Sequence, residues 1–242
     1  DYPASPTLCE LNGAPGLEIA ILSLEGQLHV YDGLGKQLPG FPVEGGGVWA
    51  SAPACADLDG DKAEDLVWAG LDGVIRAVNA KGVALKGFPL KGFRMAEGLL
   101  ALGEFHANKG MELAFGGVDG ALHVVGQDKK GAWVDLPGFP VRTEFTVTGG
   151  PALADLNADG RLELSFGSQD FNIFAVQDDG TLLPNFPVKT AYRIYVQPSV
   201  GDLDRDGRLD LIVGGGDGNV YALNHLGQSL RGWPVMGKGR IS

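Results

Sequence analysis

Carboxylates recur along this chain at a spacing that suits a hard cation. One loop reads Asp57-Leu58-Asp59-Gly60-Asp61-Lys62-Ala63-Glu64-Asp65, a second Asp155-Leu156-Asn157-Ala158-Asp159-Gly160-Arg161-Leu162-Glu163, and a third Asp202-Leu203-Asp204-Arg205-Asp206-Gly207-Arg208-Leu209-Asp210. Oxygen-bearing side chains stand at the first, third, fifth and ninth positions of each. Calcium takes roughly six to eight oxygens at about 2.3–2.6 Å, which alternate residues of a tightly curled loop can supply. The backbone carbonyl of the seventh position (Ala63, Arg161, Arg208) is the natural further ligand. Gly160 and Gly207 permit the sharp turn, whereas Lys62 stands in the same slot, so that loop is expected to be strained or weaker. The opening is like that of an EF-hand, but that loop closes with a bidentate Glu at its twelfth position between two helices, and here the acid closes at the ninth. About three Ca²⁺ ions are therefore expected.

Two further loops share the phase with poorer donors. Glu104-Phe105-His106-Ala107-Asn108-Lys109-Gly110-Met111-Glu112 offers a histidine, a poor ligand for a hard cation. Glu10-Leu11-Asn12-Gly13-Ala14-Pro15-Gly16-Leu17-Glu18 lacks an oxygen at its fifth position.

The elements that must hold these loops are read from a second ruler. Aromatic-Pro pairs begin at Phe41, Phe88, Phe139, Phe186 and Trp233, and the loops at Glu10, Asp57, Glu104, Asp155 and Asp202, so both advance in steps of about 47 residues. Gly is abundant, at 39 of 242 residues, and short apolar runs sit between turn signals rather than at helical spacing, which reads as all-β. In the last unit, strands are expected over 198–203, 209–214, 219–223 and 230–235. Asp217-Gly218 between the second and third is the sign of a two-residue type I′ hairpin. Glu25-Gly26, Asp72-Gly73 and Asp119-Gly120 hold the same place, and Asp170-Phe171 puts a ring where Gly is expected.

Four antiparallel strands per unit make the blade of a β-propeller, here a single domain over 1–242. Asp1-Tyr2-Pro3 and Arg240-Ile241-Ser242 fall in equivalent phases, so either five blades close on themselves or they belong to a larger ring. A chain of this length buries roughly 70–75% of its unfolded surface.

Charge and composition narrow the function. With a formal net charge of -11, the chain lacks the basic face that phosphate binding needs, which argues against nucleic acid. No apolar run is long enough to cross a membrane as a helix. The start carries neither an initiator Met nor a charged-then-apolar segment, so a trimmed soluble piece is expected, as a monomer or part of a larger chain. Cys9 aligns with Ala56, and Cys55 with Leu8. The two cysteines thus lie one residue out of phase on neighbouring first strands, and two buried thiols rather than a disulfide are expected. The four histidines are scattered and no serine has a nucleophile-elbow context, so no catalytic constellation is read.

Taken with the acidic loops, the Gly-rich hairpin and the closing Gly-Phe-Pro, the chain resembles the FG-GAP/VCBS repeats of integrin-α-type propellers across all five units. The resemblance implies Ca²⁺ at Asp57, Asp59, Asp61 and Asp65, at Asp155, Asn157, Asp159 and Glu163, and at Asp202, Asp204, Asp206 and Asp210. It also implies a secreted or cell-surface setting and an adhesion or protein-interaction role. A lectin with one sugar site per blade and an accessory domain of a secreted enzyme are the alternatives. Aromatics before the first strands (Trp49, Phe93, Phe145, Tyr192, Tyr195) are candidates for contact with an extracellular protein or glycan. Trp133, expected to be exposed in the longer turn of the third unit, is another.

Overall fold

The computed structural model describes residues 5–13, 15–46, 51–70, 72–93, 98–105 and 110–237. Among these, the chain is all-β and forms five antiparallel sheets. The first contains β1 (Thr7–Cys9), β2 (Glu18–Leu22), β3 (Gln27–Tyr31) and β4 (Val43–Glu44) in sequential order. The second contains β5 (Ala54–Ala56), β6 (Asp65–Ala69) and β7 (Ile75–Val78), with Leu90 bridging Ile75 where a fourth strand would lie. In the third, β8 (Ala101–Gly103), β9 (Glu112–Gly116) and β10 (Ala121–Gln127) pair in turn. The far end of β10 takes β11 (Trp133–Asp135) and its near end β12 (Val141–Arg142). β13 (Ala152–Ala154) through β16 (Val188–Lys189), with β14 (Glu163–Ser168) and β15 (Asn172–Val176) between, make the fourth. β17 (Ser199–Gly201), β18 (Asp210–Gly214), β19 (Asn219–Leu223) and β20 (Val235–Met236) make the fifth. The last strand starts later than the sequence suggests, because Trp233 N–H closes a turn on Leu230 O before the cis Trp233–Pro234 bond. The other four aromatic-Pro bonds are also cis.

Successive sheets pack face to face, and the two-residue alternation of the second strands divides their side chains between neighbours. Leu66 and Trp68 join the core formed with the first sheet, while Val67 and Ala69 join that formed with the third. Leu113 and Phe115 of the third sheet face the second, and Ala114 faces the fourth. Leu164 and Phe166 face the third sheet, and Ile173 and Ala175 on the next strand face the fifth. A central strand sandwiched in this way is buried on both faces, so it reads as a continuous apolar run.

This packing overturns the cysteine expectation: Cys9 and Cys55 form a disulfide with Cα atoms 5.9 Å apart. The out-of-phase argument holds for strands paired in one sheet, but β1 and β5 belong to different sheets laid face against face. Residues pointing to opposite faces of their own sheets then meet in the shared interface. Thr7 Oγ1–H donates to Pro53 O at 2.6 Å, and Glu10 N–H to Glu64 Oε2 at 2.7 Å, on either side of the bridge.

The hairpins between second and third strands also differ from expectation. Gly218 N–H closes a turn on Gly215 O, Gly215 N–H bonds Asn219 O, and only Gly218 has positive φ, at 83°. This is a type I turn followed by a left-handed bulge residue, not a two-residue type I′ turn. The acid before the glycine keeps negative φ because its carboxylate accepts the N–H two residues on, as in Asn219 N–H to Asp217 Oδ1 at 3.0 Å. Phe171 occupies the bulge position at φ 72° and sets its ring edge-on to Tyr192, with centroids 6.0 Å apart.

The disulfide closes a segment with a sequence separation of 46. Loop-closure entropy for that span corresponds to about 4 kcal/mol. Cys9→Ser/Cys55→Ser is expected to lower the unfolding free energy by an amount of that order, seen as a lower denaturation midpoint; an unchanged midpoint would show that the bridge does not constrain the unfolded chain.

Candidate metal centre

The acidic loops join first to second strands, so all lie at the same end of their sheets as the turns between third and fourth strands. In the second sheet's loop, Gly60 N–H donates to Asp57 Oδ1 (2.7 Å), Lys62 N–H to Asp57 Oδ2 (2.9 Å), Asp61 N–H to Asp59 Oδ1 (3.1 Å) and Ala63 N–H to Asp61 Oδ1 (2.8 Å). The fourth sheet repeats the pattern: Gly160 N–H bonds Asp155 Oδ2 (2.9 Å), Asp159 N–H bonds Asn157 Oδ1 (2.8 Å) and Arg161 N–H bonds Asp159 Oδ1 (2.9 Å). In the fifth, Gly207 N–H reaches Asp202 Oδ2 (3.1 Å), Asp206 N–H reaches Asp204 Oδ1 (3.2 Å) and Arg208 N–H reaches Asp206 Oδ1 (2.8 Å). Each acid thus anchors the backbone that curls around it.

Backbone conformation repeats as closely. The fourth position is left-handed in all three loops (Gly60 82°, Ala158 60°, Arg205 62°), and so is the sixth (Lys62 75°, Gly160 87°, Gly207 86°). Lys62 therefore adopts the glycine conformation and keeps the hydrogen bond to its Asp, at the steric cost of a β-carbon in that region, roughly 1–2 kcal/mol. Carboxylate oxygens of Asp57, Asp59 and Asp61 lie within 4.8 Å of one another, as do those of Asp202, Asp204 and Asp206.

The ninth-position acid is built differently. It begins the second strand and is buried: Asp65 is 1% exposed, Glu163 and Asp210 2% each. One oxygen accepts the N–H of the loop's second residue: Leu58 to Asp65 Oδ2 at 3.0 Å, Leu156 to Glu163 Oε2 at 2.7 Å, Leu203 to Asp210 Oδ2 at 2.9 Å. Burial raises Asp65 to a pKa of about 6, helped by the charges of Asp59, Asp61 and Asp57 and opposed by the Leu58 hydrogen bond. Glu163 and Asp210 are pushed up for the same reason, desolvation first and loop carboxylates after. Crowded anionic oxygens beside a buried carboxylate are a donor set that a hard divalent cation fits.

The two poorer loops keep this anchor. Leu11 N–H donates to Glu18 Oε2 (2.9 Å) and Phe105 N–H to Glu112 Oε2 (2.6 Å). In the first, Asn12 Nδ2–H also donates to Glu18 Oε1 at 2.7 Å, placing an amide proton against the acid's second oxygen. His106 and Asn108 lie outside the described residues. Arg161, whose carbonyl is a candidate ligand, turns its guanidinium to Asp178 at 3.2 Å and to Asp159 at 3.5 Å.

The candidate contact aromatics divide. Phe93, Phe145, Tyr192 and Tyr195 lie at the opposite end of the sheets from the acidic loops, beside the hairpins between second and third strands. Phe145 is 51% and Tyr192 37% exposed, with the Arg193 guanidinium 6.0 Å from the centre of the Phe145 ring. Phe93 and Tyr195 are half-buried, Phe93 edge-on to Phe115 and His123. Trp49 lies outside the described residues. Trp133 corrects expectation: it is buried, because β11 pairs with β10 and turns the indole onto Phe88 of the second sheet, with ring centroids 5.1 Å apart. Gly87 makes room, since a β-carbon there would stand 2.9 Å from Trp133 Cδ1.

One feature was missed in the sequence. The middle of the third strand, which accepts Arg, His or Tyr, faces the hairpin acid four residues before it. Arg76 bonds Asp72 (2.6 Å), His123 bonds Asp119 (3.3 Å) and also Asp135 (2.9 Å), and Tyr221 bonds Asp217 (2.7 Å). The four-residue spacing after each hairpin acid was the available signal.

No protein-family model matches the chain, nor does the sequence of any curated protein. Solved structures do match in fold. The Vibrio cholerae biofilm matrix protein Bap1 superposes with a TM-score of 0.67 at 20% identity, over 94% of this chain and 38% of Bap1. BBS1N, from its complex with ARL6DN, gives 0.65 at 15% identity over 99% of this chain and 68% of its own. The WD40 β-propeller domain of Doa1 gives 0.57 at 18% identity over 96% of this chain and 67% of its own. The architecture is therefore propeller-like.

Two outcomes follow from the loop geometry. Lys62→Gly relieves the left-handed β-carbon and should raise stability by up to about 1 kcal/mol, the steric gain less glycine's entropy; a loss would mean the lysine side chain contributes packing of its own. In chelator, Asp65 with its raised folded-state pKa binds more protons folded than unfolded between pH 4 and pH 6. The metal-free protein should therefore lose stability as pH rises through that window, and Asp65→Asn should reduce the slope. A metal-free midpoint that climbs from pH 4 to 6 would contradict this.

Proposed function

We propose that the chain is a calcium-stabilised β-propeller of the FG-GAP/VCBS type, an extracellular adhesion or protein-interaction module rather than an enzyme. Its five sheets act as blades, closed on themselves or set in a larger ring. One ion is held by Asp57, Asp59, Asp61, the Ala63 carbonyl and Asp65, a second by Asp155, Asn157, Asp159, the Arg161 carbonyl and Glu163. Asp202, Asp204, Asp206, the Arg208 carbonyl and Asp210 hold a third.

The observation that carries this reading is the repetition of one backbone conformation in three separate loops, each closing on a buried carboxylate raised first by desolvation and then by the loop carboxylates. All five loops share the buried acid, and the further carboxylates whose charges raise it are particular to these three. A divalent ion supplies the missing counter-charge and ties the first two strands of a blade together. Sites with a Kd near 10 μM in about 1 mM free calcium would each add about 2.7 kcal/mol.

The compartment follows from the same requirement. Such sites fill where calcium is near millimolar, and the Cys9–Cys55 disulfide suits an oxidising environment. The presence of a biofilm matrix protein among the structural relatives agrees with an adhesive extracellular setting.

Calorimetric titration of chelator-treated protein should return about three calcium ions, with a rise in thermal midpoint. Asp59→Ala, Asn157→Ala and Asp206→Ala should each remove one. Binding of no calcium at millimolar concentration, or a stoichiometry indifferent to all three substitutions, would end the reading.

A further inference from the structure

We infer that the end of the sheets opposite the acidic loops binds an acidic polysaccharide, along a sector formed by the second, third and fourth sheets. The inference adds the partner's chemistry to the adhesion reading and rests on that part of it, not on calcium.

The sector is defined by register. Leu90, Val141 and Val188 bridge Ile75, Leu122 and Ile173 respectively, so the residues after them occupy one equivalent outer position. Those residues are Lys91, Arg142 and Lys189, all exposed. The same position holds Glu44 in the first sheet and Met236 in the fifth, which bounds the basic sector on both sides. Two or three residues after each base comes an aromatic: Phe93, Phe145 and Tyr192. A base followed by a ring thus recurs once per sheet, with Phe145 and Tyr192 exposed and Phe93 half-buried, and Arg193 bridges two of these stretches by lying against Phe145.

Charge complementarity selects the partner. The hairpin acids beyond the first sheet, whose Glu25 is exposed, are already engaged: Asp72 by Arg76, Asp119 by His123, Asp217 by Tyr221 and Asn219. Asp170 is buried and accepts the backbone N–H groups of Asn172 and Glu144. Arg76 neutralises Asp72, and the other carboxylates keep their charge but are directed to these partners rather than to the exposed bases. Among the described residues, Glu144, exposed beside Arg142, is the acid on the stretches that follow these three bases. The acidic loops stand a second-strand length away, about 17 Å for five residues, roughly twice the Debye length at physiological salt. The negative end of the molecule is thus screened from the basic sector, despite a net charge of -11.

A repeated base-and-ring pair favours sugar over acidic peptide. A ring face packs on the apolar C–H face of a pyranose while the neighbouring base meets its carboxylate or sulfate, and an anionic polysaccharide presents that combination at regular intervals. An acidic peptide would use the bases and leave the rings idle.

The test uses hyaluronan and chondroitin sulfate as probes, with uncharged dextran and poly-L-glutamate as controls, by biolayer interferometry on the intact chain in calcium. Either acidic polysaccharide should bind, more weakly as salt rises, and dextran should not. Lys91→Ser/Arg142→Ser/Lys189→Ser should lower affinity about tenfold or more. Glu144→Gln should raise it. Phe145→Ala/Tyr192→Ala should weaken polysaccharide binding while leaving any poly-L-glutamate signal unmoved. Calcium stoichiometry and circular dichroism on the same variants separate a misfolded site from a missing one, and failure of calcium loading with intact glycan binding would sink only the calcium reading. The inference is overturned if neither polysaccharide binds, if the triple variant binds like the parent, or if poly-L-glutamate binds as tightly and the ring substitutions change nothing.

Discussion

A buried carboxylate at the start of each second strand, accepting the N–H of the second residue of the preceding loop, is the constraint on which the rest of this structure hangs. Glu18, Asp65, Glu112, Glu163 and Asp210 all make this bond, to Leu11, Leu58, Phe105, Leu156 and Leu203. The bond fixes where the second strand begins and hence its register with the first, and it sets the following apolar residues alternately toward the two neighbouring sheets. It also leaves a charged group with little water. In three loops, further carboxylates crowd around that group, a conflict that the proposed cation would relieve; in the first loop the Asn12 amide makes a hydrogen bond to it instead. Loops with and without full donor sets thus share one backbone anchor, which explains how repeats diverge in chemistry without losing the fold.

The antiparallel topology separates two kinds of surface. First-to-second and third-to-fourth connections share one end, and second-to-third connections share the other with the links between sheets. The acids that would hold metal collect at the first end. At the second, three hairpin acids bond Arg76, His123 and Tyr221, and exposed bases and rings stand alongside them. A metal role and a contact role can therefore coexist on strands of only about five residues, because screening decouples charges that far apart.

Much of this was legible in the chain. The 47-residue period, the strand-turn alternation and the donor spacing of the loops all depend on local residue types, and local hydrogen bonding enforces them. The left-handed positions were legible where Gly occupies them and surprising where it does not: Lys62 and Phe171 hold the same conformation because the surrounding bonds over-determine it. The hairpin type was misread, since Asp-Gly suits two turn geometries and only the bond from Gly218 N–H to Gly215 O selects between them.

What the sequence determined alone is whatever a single unit can specify: its four-strand plan, its acidic loop and the residues able to hold a cation. Only the tertiary structure decided what happens between units. Cys9 and Cys55 bond because face-to-face packing brings together residues that point oppositely in their own sheets, and Trp133 is buried because an added strand lays it on the neighbouring Phe88. The basic sector exists only once three separate fourth-strand positions fall into register. A contact between units depends on which faces meet, and a period read along one chain carries no information about that.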